Sequence, residues 1–346
     1  MGEVTTPLVM PDASVWLRIE EDSGVGTARR AAQQLCARLG FGEGRSGEVA
    51  LAVTELGTNL IKHAGHGTML LRPLHRDPVA VEVLAYDSGP GIPDVPAALR
   101  DGVSSAATLG IGLGALTRLA DSWDIYTGAG GGTVVHTLYC ARPSLGRPSP
   151  PRSSDRVAAL VRPMTGEVEA GDTYAWKTEG SRWHVLLVDG LGHGPLAARA
   201  ARQAVRVFED LPADTSPGAV LSALHRGLAA TPGAAAAVVN VDIAERRLVF
   251  AGVGNVAGWI VDHDRRRGLV STPGILGHQT RTAKEFAVDL AVGASAVLHT
   301  DGVTDKWSTR DYPGVLSHAP MCLAAVLLRD RAVRRDDAGV VVVRAV

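Results

Sequence analysis

Two groups of residues in this sequence have the types and spacing needed to handle phosphate. The group in the N-terminal half combines a carboxylate, an amide and two glycine-rich turns: Glu55, Asn59, Asp87–Gly91 and Gly110–Gly114. The group in the C-terminal half contains four aspartates beside a glycine or a second aspartate: Asp172, Asp189, Asp301 and Asp336. Glycine-rich turns let backbone amides approach a polyphosphate, and clustered carboxylates hold hard metal ions. The sequence therefore predicts one half that binds a nucleotide and another that binds metal.

The stretch from Val49 to Ala64 has the pattern of an amphipathic helix. Its apolar residues recur on one face, and Glu55, Asn59 and Lys62 fall on an adjacent face at i, i+4 and i+7. Such a polar stripe is also typical of an ordinary surface helix. The two glycine-rich turns that follow, one after an apolar strand and one before an apolar helix, favour nucleotide binding.

The helix with Glu55 and Asn59 and the two glycine-rich turns, in this order, resemble three motifs of the GHKL ATPase superfamily. Within it, they resemble the small anti-sigma-factor serine/threonine kinases. The resemblance covers about residues 14–140 and implies a GHKL α/β sandwich that binds ATP and Mg²⁺. Asn59 would ligate the Mg²⁺, and Asp87 would accept a hydrogen bond from the adenine. The complete set of implied ATP-binding residues is Asn59, Lys62, Asp87, Gly89, Gly91, Gly110, Gly112, Gly114 and Thr133.

Glu55 matches the general base of that family, which takes the proton from a protein hydroxyl as it attacks the γ-phosphate. Positioning and charge neutralisation supply most of the catalysis in phosphoryl transfer, so a base and Mg²⁺ would suffice. Nothing in the chain resembles a phosphoacceptor-histidine helix, which disfavours a sensor histidine kinase.

The aspartates of the C-terminal half stand beside apolar runs that have the pattern of strands. Val185–Gly190 and Ser295–Gly302 each end an apolar run in Asp-Gly, although any one such pair is also typical of a simple turn. Four carboxylates without a Cys ligand or a His pair at helical spacing predict an oxygen-only site for Mg²⁺ or Mn²⁺. Two such ions can activate a water and neutralise a phosphoryl group.

This pattern resembles the PP2C-like phosphatases of the SpoIIE and RsbX type over about residues 157–346. The resemblance implies a β-sandwich flanked by helices. The implied metal ligands and catalytic groups are Asp172, Asp189, the carbonyl of Gly190, Asp301 and Asp336. His193 either accompanies the metal loop, as in the family motif, or caps the helix that starts at Pro195. Gly339 departs from the family, which commonly has a small hydroxyl residue there.

The organisation of the chain follows from its composition and periodicity. A Pro-, Ser- and Arg-rich stretch at 141–156 predicts a linker between a domain at 1–140 and a domain at 157–346. In the first domain, helices are expected near 27–39 and 47–64 and strands near 79–86 and 133–139. In the second, helices are expected at 195–208 and 217–228, a hairpin over 236–253, and strands near 183–188, 294–299 and 340–344. The predicted fold class is α+β.

Charge and cysteine content restrict the partners and the compartment. The net charge of −1 and the pI near 6.8 disfavour nucleic acid as a partner. The three cysteines are far apart in sequence, which favours a reducing cytoplasm. The longest apolar run, near Met321–Leu328, is too short to cross a membrane.

The two resemblances together predict a bifunctional regulator with kinase and phosphatase activities. They imply phosphoprotein partners of the STAS or anti-anti-sigma type in a partner-switching circuit. Because related kinases dimerise, the resemblance also implies a homodimer, for which no residue of the sequence gives evidence. One alternative makes the N-terminal half an ATP-gated binding module that transfers no phosphate; another makes both halves inactive scaffolds.

Overall fold

The computed structural model describes residues 14–75, 77–100, 112–128, 131–142, 156–263, 265–333 and 335–344. These residues form two compact units. The N-terminal unit contains the described residues up to 142 together with Tyr312–Cys322, and the C-terminal unit contains the remainder. Most of the predicted linker, 143–155, lies outside the described residues.

The N-terminal unit has, in its described part, one antiparallel sheet of five strands in the order β1-β2-β3-β5-β4. The strands are β1 (Val15–Ile19), β2 (Gly67–Leu74), β3 (Ala80–Tyr86), β4 (Ser122–Thr127) and β5 (Thr133–Cys140). The helices are α1 (Asp22–Arg38), α2 (Glu43–Ala64), α3 (Val95–Ala98) and α4 (Gly112–Leu119). The predicted helices and strands of this half are thus present, and both long helices begin earlier than expected.

The core of the N-terminal unit lies between α2 and one face of the sheet. Val53 and Leu60 of α2 belong to one buried apolar cluster with Met69 and Val83 of the sheet. Burial of this apolar stripe is what stabilises the helix in its position, because removing apolar surface from water is the main favourable term. It also fixes which helix face the neighbouring polar residues occupy.

The C-terminal unit has two sheets of five strands each among its described residues, in the orders β15-β10-β9-β8-β7 and β12-β11-β16-β17-β6. The strands of the first sheet are β7 (Asp172–Glu179), β8 (Arg182–Gly190), β9 (Ala234–Asp242), β10 (Arg247–Val253) and β15 (Phe286–Asp289). Those of the second are β6 (Val157–Arg162), β11 (Ala257–Val261), β12 (Arg266–Leu269), β16 (Ser295–His299) and β17 (Ala338–Arg344). A small hairpin joins β13 (Gly274–Ile275) to β14 (Gln279–Thr280).

Helices complete the C-terminal unit. They are α5 (Gly194–Asp210), α6 (Pro217–Gly227) and α7 (Pro320–Arg331) from Leu323 onward, with a short 3-10 turn at Thr309–Asp311. A second 3-10 turn, at Val315–Ser317, belongs to the N-terminal unit. Buried residues of α5 and α6, among them Ala201, Phe208 and Leu224, pack on Leu186 and Val238 of the first sheet. The predicted hairpin over 236–253 is the antiparallel pair β9 and β10. The α+β class is confirmed, with sheets and helices in both units.

Membrane insertion through a helix finds no support in the described part of the chain. None of its helices combines the length and the apolar content that a bilayer crossing requires.

Candidate metal centre and nucleotide site

The first two predicted metal ligands face each other across a pair of strands. Asp172 begins β7, Asp189 lies near the end of β8, and the antiparallel register makes them direct partners. Residues opposite each other in such a ladder have Cβ atoms about 4.5–5.5 Å apart. Asp172 is 3% exposed and Asp189 is half-buried, so two acidic groups share a poorly hydrated place.

A threonine holds the more deeply buried of the two carboxylates. Thr300 Oγ1 donates to Asp172 Oδ2 at 2.7 Å and accepts from Gly339 N at 2.9 Å. Thr300 is fully buried at the end of β16, next to Asp301. The hydroxyl therefore connects β7, β16 and β17 through hydrogen bonds.

Asp301 reaches the same centre from the turn after β16. Its Oδ2 accepts a hydrogen bond of 2.5 Å from Asn255 Nδ2, in the turn after β10. The next residue, Gly302, packs so closely that an added Cβ would lie 1.7 Å from the carbonyl oxygen of Asp337. This close approach requires glycine and fixes the turn that presents Asp301.

The adjacent aspartates before β17 have different surroundings. Asp336 is half-buried in the carboxylate cluster, and Asp337 is 3% exposed. Asp337 accepts backbone hydrogen bonds from Met164 N and Gly171 N, both at 2.6 Å. Asp337 thus ties down the loop that leads into Asp172, whereas Asp336 keeps its carboxylate in the cluster.

The electrostatics of this centre favour a cation. Burial, followed by repulsion from Asp301 and Asp336, raises the pKa of Asp189 to about 8. Burial and the nearby Asp189 raise the pKa of Asp172 well above its ordinary value, against the opposing hydrogen bond from Thr300. Burial and Asp301 also raise the pKa of Asp336. Carboxylates that repel one another in a dry place are stabilised by a divalent cation.

One oxygen atom of the carboxylate cluster also indicates that a cation is needed. Asp189 Oδ2 is buried and has no hydrogen-bond partner among the described residues. A buried carboxylate oxygen without a partner is costly, and a metal ion would satisfy it. The donor set consists of oxygen atoms, as Mg²⁺ and Mn²⁺ prefer. The residues present therefore fit a hard divalent metal.

Two further residues of the predicted phosphatase motif lie between the end of β8 and the start of α5. Gly190 follows Asp189, and its N–H donates to Gly171 O at 3.0 Å. His193 precedes α5, but its side chain makes no capping hydrogen bond. Its Nδ1 instead lies 3.0 Å from Glu167 Oε1. Capping by the His193 side chain, one of the two expected roles, is therefore wrong.

The polar face that was predicted to carry Glu55 and Asn59 lies on α2. Glu55 and Asn59 are half-buried and one turn apart, next to the buried stripe formed by Leu56 and Leu60. Lys62 is exposed further along the helix. The packing of the apolar stripe thus leaves the carboxylate and the amide on one partly accessible face.

The first glycine-rich turn is organised around Asp87. Asp87 Oδ1 accepts hydrogen bonds from Gly89 N at 2.8 Å and Thr133 N at 3.2 Å, so it links the ends of β3 and β5. Gly91 has φ +80°, a conformation that side chains other than glycine rarely adopt. An added Cβ there would also lie 2.6 Å from Thr127 Oγ1.

The second glycine-rich turn is described in part. Gly112 is the first residue of α4, and Gly114 is buried within its first turn. The N-terminus of this helix presents backbone N–H groups of the kind that bind phosphate. Gly110 lies outside the described residues, as does the rest of 101–111.

Three residues that support the candidate metal ligands were not predicted from the sequence. They are Thr300, Asn255 and Asp337, which hold Asp172, Asp301 and the loop before Asp172 in place. Thr300 stands directly before Asp301, and Asp337 follows Asp336, so adjacency to predicted ligands was the available signal. Asn255 lies far from both in sequence, and no pattern marked it.

Each half of the chain matches a known protein family. Residues 20–138 match the family described as Histidine kinase-like ATPase domain. Residues 179–345 match the family described as Stage II sporulation protein E, SpoIIE. Both resemblances predicted from the motifs are confirmed.

The chain is also similar to individual proteins and solved structures. The serine/threonine-protein kinase RsbT of Bacillus subtilis (strain 168) is 31% identical over 127 residues, which cover 36% of this chain and 96% of that protein. A solved structure described as "The bacterial stressosome: a modular system that has been adapted to control secondary messenger signaling" is 28% identical, with a TM-score of 0.50, covering 55% of this chain and 98% of that one. A crystal structure of RsbX in complex with magnesium is 20% identical, with a TM-score of 0.45, covering 55% of this chain and 96% of that one.

Proposed function

The chain belongs to the family of the serine/threonine-protein kinase RsbT, and from this membership and its SpoIIE-type phosphatase domain we propose that it both phosphorylates and dephosphorylates protein partners. The acceptor would be a serine or threonine of a STAS-domain or anti-anti-sigma protein. The proposal places the chain in cytoplasmic partner switching. The observation that carries the phosphatase assignment is the buried, unpartnered Asp189 Oδ2 within a cluster of carboxylates.

The metal centre of the phosphatase would use residues from four segments of the chain. Asp172, Asp189, Asp301, Asp336 and the Gly190 carbonyl would hold Mn²⁺ or Mg²⁺. When bound, such ions activate water and neutralise charge on the phosphoryl group. Other side chains would hold these ligands in position.

Positioning falls to the hydrogen bonds around the centre. Thr300 fixes one oxygen of Asp172, which is paired with Asp189 across β7 and β8. Asn255 fixes Oδ2 of Asp301. Preorganised ligands need no rearrangement when substrate arrives, which favours the transition state.

The kinase chemistry would use the polar face of α2 that carries Glu55 and Asn59. Glu55 would take the proton from the partner's hydroxyl. Asn59 would hold Mg²⁺, and Asp87 would accept a hydrogen bond from the adenine amino group. Glu55 is half-buried beside the apolar stripe of α2, on the same face as Asn59. The position of the proposed base one turn from the proposed metal ligand supports this assignment.

The test is to separate the two activities in the full chain. Asp301→Ala should abolish phosphate release with Mn²⁺ and spare transfer of label from radioactive ATP to a STAS-domain protein; Glu55→Ala should do the reverse. Asp214→Ala and Glu43→Ala, which change exposed carboxylates outside both proposed sites, are the matched controls.

The outcomes distinguish the proposal from its alternative. Loss of the same activity in both variants would contradict the two-site proposal. ATP binding without label transfer to any of a panel of STAS-domain proteins would instead make the N-terminal unit an ATP-gated binding module.

A further inference from the structure

A cavity of about 190 Å³ lies beside α6 in the C-terminal unit. Ser222, His225 and Arg226 of α6 line one side, and Arg281 and Thr282 line another. Small-molecule sites typically enclose roughly 300–1,000 Å³, so this cavity suits a protein side chain better than a nucleotide. None of the proposed metal ligands lines it.

The cavity carries two positive charges without an acidic partner. Arg226 and Arg281 are exposed, and neither side chain makes an ion pair or hydrogen bond within the described part of the chain. Glu285 is close to Arg281 in sequence, but its Oε1 accepts from Ser216 Oγ at 2.6 Å and Gly218 N at 2.8 Å, at the start of α6. The cavity is therefore electrostatically complementary to an anionic group.

Neutral donors add to this complementarity. Gly277 N donates to His225 Nδ1 at 3.1 Å, so the proton of the neutral ring lies on Nε2. Thr282 also lines the cavity, whereas the hydroxyl of Ser222 donates to Gly218 O at 2.9 Å. Guanidinium, imidazole N–H and hydroxyl groups are donors that a carboxylate accepts from.

The cavity also lies near the metal centre along the chain. Val253 lines it, and Asn255, two residues later, donates to Asp301 Oδ2 at 2.5 Å. Two residues of chain span at most about 7 Å. Leu276, another lining residue, forms a bridge to Ala234, which pairs with Gly190. A peptide with its phosphate at the metal centre therefore has flanking residues within reach of the cavity.

We propose that this cavity binds an acidic side chain, Asp or Glu, that flanks the phosphorylated residue of the protein substrate. The inference rests on the proposed dephosphorylation of a protein partner and adds a specificity determinant to it. Arg226 and Arg281 are the specificity residues, and the metal ligands remain the catalytic ones.

The experiment compares two phosphoserine peptides that are identical except for three Glu or three Gln residues on each side of the phosphoserine. Phosphate release by the full chain with Mn²⁺ should show a KM for the Glu peptide about 3- to 10-fold lower, as expected for two partly exposed charge pairs. The double variant Arg226→Glu, Arg281→Glu should lose this preference and prefer a Lys-flanked peptide. Arg267→Glu, at an exposed position on β12 outside the cavity, should keep it.

Turnover of para-nitrophenyl phosphate, which has no flanking residues, should be the same in all variants and shows that they are folded and active. Equal KM values for the Glu and Gln peptides, or a preference that survives in the double variant, would overturn the inference. Fluorescence anisotropy of the labelled peptides separates binding from catalysis. If no phosphate is released from any substrate, the proposed phosphatase function fails, while tighter binding of the Glu peptide that depends on both arginines would still support the cavity.

Discussion

Asp172 and Asp189 are direct partners across the antiparallel strands β7 and β8, although 16 residues separate them in the chain. Strand pairing brings two carboxylates together in a buried place, where each raises the cost of ionising the other. Their pKa values are both raised, that of Asp189 to about 8. This arrangement explains why the centre is suited to a divalent cation.

The first prediction concerns pH and metal. An acid whose pKa is raised on folding binds its proton more tightly in the folded state. Its stabilising contribution is full below the ordinary value of 3.8 and is lost as the pH rises through about 8. Without metal, the melting temperature of wild type relative to Asp189→Asn should therefore fall between about pH 4 and pH 8.

Mn²⁺ should reverse this trend, because it binds the ionised carboxylates and not the protonated ones. Thermal melts in EDTA and in Mn²⁺ across this pH range test it, and the increase with metal should be largest at the alkaline end. A metal-induced increase of equal size in Asp189→Asn would contradict the assignment of Asp189 as a ligand.

The second prediction concerns Thr300. Thr300→Val keeps the shape of the side chain but removes the hydroxyl that donates to Asp172 and accepts from Gly339 N. Leaving buried polar groups unpaired costs about 1–3 kcal/mol, so the free energy of unfolding of the C-terminal unit should fall by that amount in urea denaturation.

Metal binding supplies a second measurement on Thr300. The hydrogen bond from Thr300 lowers the pKa of Asp172 against the effect of burial. Its loss should raise that pKa further and weaken Mn²⁺ binding near neutral pH, as measured by calorimetry. Thr300→Ser retains a hydroxyl and should recover most of the affinity; equally weak binding in both variants would point to packing instead.

The third prediction concerns a buried charge network in the N-terminal unit. Glu82 accepts from Arg72 Nε at 2.6 Å and lies 2.9 Å from His136 Nε2. Glu82→Gln would leave the guanidinium of Arg72, which is 4% exposed, without its counter-ion. Removing one partner of a buried pair costs about 3–5 kcal/mol, which urea denaturation of the N-terminal unit would detect.

Acid sensitivity is a second signature of this network. Burial alone would raise the pKa of Glu82, but Arg72 and His136 outweigh it and lower the pKa to about 2. A lowered pKa contributes stability above the ordinary value of 4.5 that is lost as the pH falls toward 2. Glu20→Gln changes an exposed pair with Arg18 and should alter stability by less than about 1 kcal/mol. Similar effects of the two substitutions would show that the Glu82 network contributes little.

The fourth prediction concerns Gly302. In Gly302→Ala the new methyl group would lie 1.7 Å from the carbonyl oxygen of Asp337, so the backbone must move. Loss of more than about 4 kcal/mol or failure of the C-terminal unit to fold is expected, because overlap with backbone cannot be relieved by a rotamer change.

Limited proteolysis and circular dichroism would show the effect of Gly302→Ala. Gly47→Ala, within α2 and with open space around its Cβ position, is the control. It should raise stability by roughly 0.5–1 kcal/mol, since alanine favours helix over glycine. A folded, metal-binding Gly302→Ala protein would refute the close approach.

The sequence by itself determined the α+β class, most of the regular elements and the residue types of both proposed sites. Apolar periodicity predicted α2 with Glu55 and Asn59 on one face, since helix geometry alone fixes residues one turn apart. Asp-Gly pairs after apolar runs marked Asp189 and Asp301, because such pairs end strands. These features depend on neighbours in the chain, which the sequence displays.

The tertiary structure decided which residues support those proposed ligands. Asn255 binds Asp301 across 46 residues, and Thr300 binds Asp172 across 128, through hydrogen bonds between different sheets or turns. It also decided that Asp337 anchors Gly171 while Asp336 faces the carboxylate cluster, although the two are adjacent and chemically identical. Neighbouring residues of extended chain point to opposite sides, and only the packing of the surrounding strands sets which side holds the metal centre.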